Sequence, residues 1–272
     1  MVLDIQQHRE DIPPTPPPTD IWSDEPELES YRHLKQLILL LTCLERLWSD
    51  RQDFFAAVNM SVYYSTEQLK SRDFRGPDFF VVLDTERKER KSWVVWGENG
   101  KYPNLIIEIL SDSTAGNDRG SKKQLYQNIW RSPEYFWFHP YTLEFCGFKR
   151  NPTVYEEIAP NNQGWLWSDE LQLYLGIFDE QLRFFTSAGE LVLTPDEAEA
   201  QALQRATEAE TRITQVEARV TEVEAKVTET EAKVTEAEAK VTAAEAKAEA
   251  ERQRAENLLQ RLRDLGIEPE DE

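Results

Sequence analysis

Apolar residues recur with two different periods in the chain before residue 195, and each period predicts one type of element. Between residues 27 and 49 the spacing is helical, which predicts a core-facing helix. Its apolar positions are Tyr31, Leu34, Ile38, Leu41, Leu44, Leu47 and Trp48. Short runs of aromatic and β-branched residues predict strands. These runs are residues 54–64, 79–83, 92–96, 105–110, 135–138, 143–148, 154–158, 171–177 and 182–185.

The run at 105–110 is apolar on both faces and is therefore expected to be a central strand. After it, Ser121 can cap a helix that runs to about Arg131. One core-facing helix, a largely β middle that contains a crossover helix, and several closing strands predict an α/β or α+β domain. We assign this domain to residues 28–193.

The first 27 residues differ from this domain in composition. They combine acidic residues with five closely spaced prolines, at positions 13, 14, 16, 17 and 18. Such a segment has too little apolar surface to fold alone. We expect a disordered arm or one that is strapped onto the domain.

A seven-residue repeat dominates the chain after Thr194. Thr194 is a candidate cap and Pro195 a candidate first helical residue. Apolar residues stand at the first and fourth positions of the repeat, which predicts a left-handed coiled coil over residues 195–265, followed by an acidic tail at 266–272. The apolar positions include Ile213, Val216, Val220, Val223, Val227, Val234, Val241 and Leu258.

Charges in the repeat indicate how two copies would pair. Lys226 of one copy can meet Glu231 of another, and Lys233 can meet Glu238, which favours a parallel homodimer. The Ala- and Thr-rich seam buries little area, so association is expected to be modest. A lone solvated helix, supported by pairs such as Glu222 with Lys226, remains an alternative.

The overall charge limits the functions that the chain can have. The 51 acidic and 31 basic residues give a net charge of −20. A free-standing nucleic-acid-binding domain is usually basic, so any nucleic-acid surface here must be a local patch. Apolar runs such as residues 37–41 are far too short to span a membrane, and no membrane partner is expected. Cys43 and Cys146 are expected to be buried free thiols, which favours a cytoplasmic location.

Glu108 is the most informative residue in the sequence, because it interrupts the apolar run at 105–110. A carboxylate in that position must be compensated by a cation or by hydrogen-bond donors. Asp78 stands just before the 79–83 strand, and if the two strands are neighbours the two carboxylates could share one ion. Mg²⁺ accepts one or two carboxylates with waters completing its shell. An internal salt bridge for Glu108 and a simple turn role for Asp78 remain alternatives.

The helix that follows offers a cation near Glu108. Lys122 would be its first helical residue if Ser121 caps it, and an amine there could stabilise charge on a phosphate or hold a metal-polarised water. Tyr126 lies one turn further on the same face, and Lys123 points elsewhere. The alternative is a solvated surface lysine and a packed tyrosine. His8, His33 and His139 lack metal-ligand spacing and are interpreted as structural or surface residues.

Four motifs in this order resemble the Uma-two family of restriction-endonuclease-like proteins in the PD-(D/E)XK nuclease superfamily. They are GPDFFVV at 76–82, PNLIIEILSDST at 103–114, DRGSKKQLY at 118–126 and PEYFW at 133–137. The resemblance covers roughly residues 28–190. It implies a restriction-endonuclease-like mixed sheet with flanking helices, in which Asp78 and Glu108 bind Mg²⁺ or Mn²⁺ and Lys122 completes the site.

Two departures from the family pattern affect the functional hypothesis. Leu110 stands where the superfamily normally has its lysine, and His139 stands where the family often has Asp. An acid from the first helix sometimes joins such sites, and Glu29 is the candidate. The favoured hypothesis is a Mg²⁺-dependent endonuclease that hydrolyses phosphodiester bonds of nucleic acid, with DNA the expected substrate. The alternative is a catalytically inactive nuclease fold that recruits partners through its coiled coil.

Overall fold

A six-stranded mixed sheet forms the centre of the first of two structural units, Met1–Glu199 and Ala200–Glu272. The computed structural model describes residues 18–21, 30–65, 76–111, 116 and 118–265. The strands of the sheet are β1 (Phe54–Val58), β3 (Phe79–Leu83), β5 (Leu105–Ile109), β6 (Glu134–Phe138), β7 (Phe145–Asn151) and β8 (Val154–Glu157). They lie side by side in that order, and β5 with β6 is the parallel pair. The predicted mixed α/β fold is confirmed.

The central position of β5 agrees with its sequence. All five of its residues are buried, and it lies between β3 and β6. Because β5 and β6 are parallel, a crossover must connect them. The described part of that crossover contains a helical run, α2, made of a π-helical turn (Asp118–Lys122), a short α-helical segment (Lys123–Leu125) and a second π-helical turn (Tyr126–Trp130).

Helices cover the two faces of this sheet. The first helix, α1 (Tyr31–Leu47), packs its leucines against one set of strand residues, which includes Phe79 and Ile107. On the other face, Tyr126 and Trp130 of α2 pack against the alternate set, which includes Phe80 and Ile106. The period-2 alternation of each strand therefore supplies both cores.

The predicted apolar face of α1 is correct only in part. Leu44 and Trp48 are buried as predicted, but other positions are not. Tyr31 is 74% exposed and Ile38 is 43% exposed. The buried face contains His33, Gln36, Leu37, Leu39, Leu40, Cys43 and Leu44. Two of these side chains are polar, and Gln36 shows how one is accommodated: its amide donates to the carbonyl of Leu182 at 2.9 Å and accepts from the amide of the same residue at 3.1 Å. Because these partners lie far away in sequence, the helical pattern of apolar residues could not reveal the rotation of the helix.

Strand boundaries before β5 also differ from the prediction. The expected strand at 54–64 is divided into β1 and β2 (Val62–Tyr63) by Asn59, whose φ of 45° lies in the left-handed region that Asn tolerates. The expected strand at 92–96 is reduced to β4 (Trp93–Val94) and a 3-10 turn (Val95–Gly97), and β4 pairs in parallel with β2.

A second, three-stranded sheet joins the first through Glu134. Its strands are β9 (Leu166–Ser168), which the sequence patterns did not predict, β10 (Leu173–Phe178) and β11 (Gln181–Phe185). Glu134, the first residue of β6, accepts hydrogen bonds from the Ser168 hydroxyl and from the amide of Asp169 at 2.6 Å. Burial raises the pKa of this carboxyl to about 7, against the effect of these donors.

Part of the predicted N-terminal arm lies against the domain. The indole of Trp96 donates to the carbonyl of Pro18 at 3.1 Å, and the hydroxyl of Ser92 donates to the carbonyl of Ile21 at 2.6 Å. Residues 18–21 are therefore held against the domain by hydrogen bonds, as one of the two expectations for the arm had it. The remaining residues assigned to the arm, 1–17 and 22–27, lie outside the described residues.

The last helix, α3 (Pro195–Asp264), begins at the predicted cap. The Thr194 hydroxyl accepts from the amide of Glu197 at 3.2 Å, and the Glu197 carboxylate accepts from the amide of Thr194 at 2.8 Å. This reciprocal pair is a capping box. From Ala200 onward the apolar residues of the heptads are exposed, except for the half-buried Leu262. The predicted acidic tail at 266–272 lies outside the described residues.

In the described parts of the chain, no helix combines the length and the apolar character needed to cross a membrane.

Candidate active site

The register between β3 and β5 places Asp78 opposite Glu108. Phe79 pairs with Ile107 in this antiparallel ladder, so the next pair towards the start of β3 is Asp78 with Glu108. Directly opposed residues of an antiparallel pair lie on the same side of the sheet. The amide of Asp78 lies 3.4 Å from Oε2 of Glu108. Two acids that are thirty residues apart in sequence are therefore neighbours at one end of the sheet.

Glu108 is fully buried and is held by α2. It is 0% exposed, its Oε2 accepts a hydrogen bond from Nζ of Lys122 at 3.0 Å, and its Oε1 accepts one from the hydroxyl of Tyr126 at 2.6 Å. Charge-assisted hydrogen bonds of this kind offset the cost of removing the carboxylate from water. The internal salt bridge that the sequence left open is present, and its cation is Lys122.

The structure corrects the predicted start of the helix that carries Lys122. Ser121 lies inside the first π-helical turn and is not an N-cap, because the helical run already includes Asp118. Lys122 itself has helical angles, φ −64° and ψ −46°. Lys123 points away from Glu108, with its Nζ 3.3 Å from the ring centre of Phe148.

Asp78 is fixed from two directions. Its Oδ2 accepts from the amide of Ile109 at 2.7 Å, and its Oδ1 lies 3.4 Å from Nε2 of His33. Burial opposes ionisation of this carboxyl, but the contact with His33 and the charge of Lys122 outweigh it and hold its pKa below the ordinary value. Asp78 is therefore ionised at neutral pH.

His33 is the site residue that the sequence patterns missed, since it was interpreted as structural or surface. It is 6% exposed, on the α1 face that also carries Leu37, Leu40 and Leu44. A polar side chain at a core position of an apolar helix face is the signal that could have identified it. Glu29, the acid suggested from the first helix, lies outside the described residues.

His139, which replaces an Asp of the family pattern, has a structural role. Its Nδ1 accepts hydrogen bonds from the amides of Tyr141 and Thr142, each at 3.2 Å. An Asp carboxylate accepts the same kind of bonds in turns. The imidazole therefore preserves the turn after β6.

The donor set at this end of the sheet fits a hard divalent cation. Asp78 and Glu108 offer carboxylate oxygens from neighbouring strands, and Asp78 is ionised at neutral pH. Mg²⁺ commonly takes one or two carboxylates and keeps several waters. Within the described ranges, no group of three or more His, Cys, Asp or Glu residues has an arrangement that could hold a metal ion. A site here would therefore rely on two carboxylates.

Comparisons with known proteins identify the class. Residues 25–183 match the Uma2 (Uma-two) family, whose description is "Putative restriction endonuclease". The match covers more than half of the chain, and the chain belongs to this family, as its motifs predicted. Among solved structures, it is similar to one titled as a "putative nuclease belonging to DUF820" from Anabaena variabilis ATCC 29413, with 12% identity over 57% of this chain and 83% of that chain and a TM-score of 0.42. No curated protein matches the chain.

Proposed function

We propose that residues 28–193 form a Mg²⁺-dependent endonuclease domain that hydrolyses phosphodiester bonds of nucleic acid, with DNA as the expected substrate and Mn²⁺ as a possible substitute ion. The observation that carries the proposal is the fully buried Glu108, which lies opposite Asp78 and accepts a hydrogen bond from Lys122. Family membership supports the nuclease class and does not favour the alternative of an inactive interaction module.

Each residue of the site has a role in this proposal. Asp78 and Glu108 would hold the ion, which when bound supplies Lewis-acid polarisation of phosphate and an acidified water. Tyr126 fixes the orientation of Glu108 through its 2.6 Å hydrogen bond. Lys122 presents a cation beside the carboxylates, where it can stabilise negative charge that develops on a phosphate.

An exposed arginine lies next to these residues, over a buried tryptophan. Trp137 pairs with Glu108 in the β5–β6 register, and the guanidinium of Arg119 lies 4.8 Å from the centre of the Trp137 ring. Arg119 also forms an ion pair with Glu144. A cation at this position supports the local nucleic-acid patch that the acidic composition requires.

The test is cleavage of supercoiled plasmid by the full chain. With Mg²⁺ or Mn²⁺ we expect nicking or linearisation that EDTA abolishes and that Asp78→Asn reduces by at least about 100-fold, because one carboxylate ligand is lost. The matched control is Asp53→Asn, whose carboxylate pairs with Arg51 at the surface and should leave cleavage unchanged. Equal activity of the Asp78→Asn variant and the wild type would refute the site.

We further propose that α3 pairs in parallel with a second copy over residues 195–265. The second unit leaves its heptad residues exposed, and the flanking positions separate charge: Arg219, Lys226, Lys233 and Lys240 on one flank, Glu224, Glu231, Glu238 and Glu245 on the other. Parallel pairing brings opposite charges together, whereas antiparallel pairing brings like charges together. The ion pair of Glu222 with Lys226, at 2.5 Å within one helix, supports the lone-helix alternative.

Charge exchange tests this pairing. In sedimentation experiments we expect the full chain to be dimeric, and Lys226→Glu with Lys233→Glu to weaken association by about 10-fold or more, since each of the like-charge contacts costs several tenths of a kcal/mol. Adding Glu231→Lys and Glu238→Lys reverses both flanks and should restore the dimer. A wild-type monomer at high micromolar concentration would contradict the pairing.

The cytoplasm is the location that we propose for this protein. Cys43 and Cys146 are both free thiols in the described part of the chain, as suits a reducing compartment.

A further inference from the structure

We infer that His33 is a positioning residue that holds the Asp78 carboxylate for cation binding. This inference rests on the proposed function, because it concerns the same two-carboxylate site. Nε2 of His33 lies 3.4 Å from Oδ1 of Asp78, while Oδ2 of Asp78 accepts from the amide of Ile109 at 2.7 Å. One oxygen is thus fixed by the sheet and the other faces a side chain from α1.

The imidazole is placed there by a rigid helix end. The Ser30 hydroxyl caps α1 by accepting from the amide of His33 at 3.2 Å. Leu37 and Leu40 are buried in the core between α1 and the strands. Because the start of the helix is capped and the neighbouring side chains are buried, the His33 side chain is held in a defined position beside Asp78.

A purely structural role does not account for this histidine. Its Nε2 is buried and lies 3.4 Å from Oδ1 of Asp78. Within the described residues this nitrogen makes no hydrogen bond of normal geometry. A buried polar atom without a good partner costs folding free energy. A leucine at this position would extend the apolar face of Leu37 and Leu40 without that cost. Retaining an imidazole aimed at Asp78 is therefore better explained by its effect on the carboxylate than by packing.

Side chains that contact and orient a metal-binding carboxylate have a measurable effect on the affinity for the metal ion. Losing such a partner typically weakens metal binding by about 10–100-fold. We therefore expect His33→Leu to weaken Mn²⁺ binding by about that factor. His33→Gln keeps a nitrogen donor at similar reach and should bind Mn²⁺ within about three-fold of the wild type.

The experiment is calorimetric titration of the full chain with Mn²⁺, accompanied by thermal melting of each variant. The matched control is Gln36→Ala, which lies on the same helix face and loses two hydrogen bonds but does not contact Asp78. It should melt earlier and bind Mn²⁺ as the wild type does. If His33→Leu does not fold, His33→Met replaces it with the same expectation.

Two results would overturn the role of His33: unchanged Mn²⁺ affinity in His33→Leu, or an equal loss of affinity in Gln36→Ala. Glu108→Gln separates this failure from failure of the site. If the wild type does not bind Mn²⁺, or if Glu108→Gln binds it equally well, the proposed two-carboxylate site is wrong and the role of His33 is refuted with it. If Glu108→Gln loses affinity and His33→Leu does not, the site stands and His33 is a packing residue.

Discussion

Replacing Glu108 with Gln is expected to reduce Mg²⁺-dependent cleavage by about 1000-fold, which corresponds to about 4 kcal/mol of lost transition-state stabilisation. The reason is chemical rather than steric. The amide keeps the size of the side chain and an oxygen that can accept from the Tyr126 hydroxyl, but it removes the negative charge that would hold the ion. The neutral amide is less costly to bury than a carboxylate, but the Lys122 ammonium loses its anionic partner, so the fold should persist with reduced stability.

Glu134→Gln provides an unusually close control for this experiment. Glu134 is also a buried carboxylate in the same sheet, but it pairs with the start of β5, opposite Leu105, whereas Glu108 lies near its end. The same substitution there should leave cleavage within about two-fold of the wild type, since no catalytic contact is lost. Initial rates of plasmid nicking at saturating Mg²⁺ give the comparison. A Glu108→Gln enzyme that keeps a tenth or more of the wild-type rate would show that Glu108 is not an ion ligand.

The part of the site that the sequence could predict is the part encoded in strands. β3 occupies the predicted residues 79–83, and β5 occupies all but the last residue of the predicted 105–110. Both are mainly apolar runs with clear turn signals before them, which is why they could be predicted. Their side-by-side arrangement was a hypothesis, because β4 lies between them in sequence and pairs with β2 instead. Once β3 and β5 are taken as neighbours, the approach of Asp78 to Glu108 follows from the positions of the two acids in their strands.

The contributions of the helices were harder to predict. A polar residue can lie on the buried side of a helix when its partner comes from a distant strand, as the backbone of Leu182 does for Gln36. No local pattern reveals the partner of Gln36, so the face of α1 was partly misassigned. With the face misassigned, the helical spacing of His33 with Leu37, Leu40 and Leu44 was overlooked. In α2 the π-helical turns change the angle between successive side chains, and a standard capped helix was therefore the wrong description of how Lys122 reaches Glu108.

These two failures have a common physical origin. Apolar periodicity reports how a helix meets the core, whereas a functional site is built from polar groups whose burial is stabilised by other polar groups. Here the buried carboxylate of Glu108, the amine of Lys122 and the hydroxyl of Tyr126 satisfy one another. These three side chains therefore depend on one another, and replacing one of them should change how stably the other two are held in the site.

Lys122→Met tests that dependence and should have the largest effect on stability. Without the lysine, the carboxylate of Glu108 would be fully buried with no cation beside it, and removing one partner of a buried pair typically costs about 3–5 kcal/mol. We expect that loss in the free energy of unfolding, measured by urea denaturation in EDTA. The exposed ion pair of Lys149 with Asp169 supplies the control, because Lys149→Met should cost less than about 1 kcal/mol.

The double variant Lys122→Met with Glu108→Gln shows whether the loss comes from the ion pair. If it does, removing the second charge should restore most of the stability, because a buried site with neither ion carries no unpaired charge. If the double variant instead loses as much free energy of unfolding as the two single variants together, Lys122 stabilises the domain by packing. Mg²⁺ provides a further comparison: a cation that binds the carboxylates of Asp78 and Glu108 in the folded state should stabilise Lys122→Met more than it stabilises Lys122→Met with Glu108→Gln. That difference would connect the stability of the site directly to the ion on which the proposed cleavage depends.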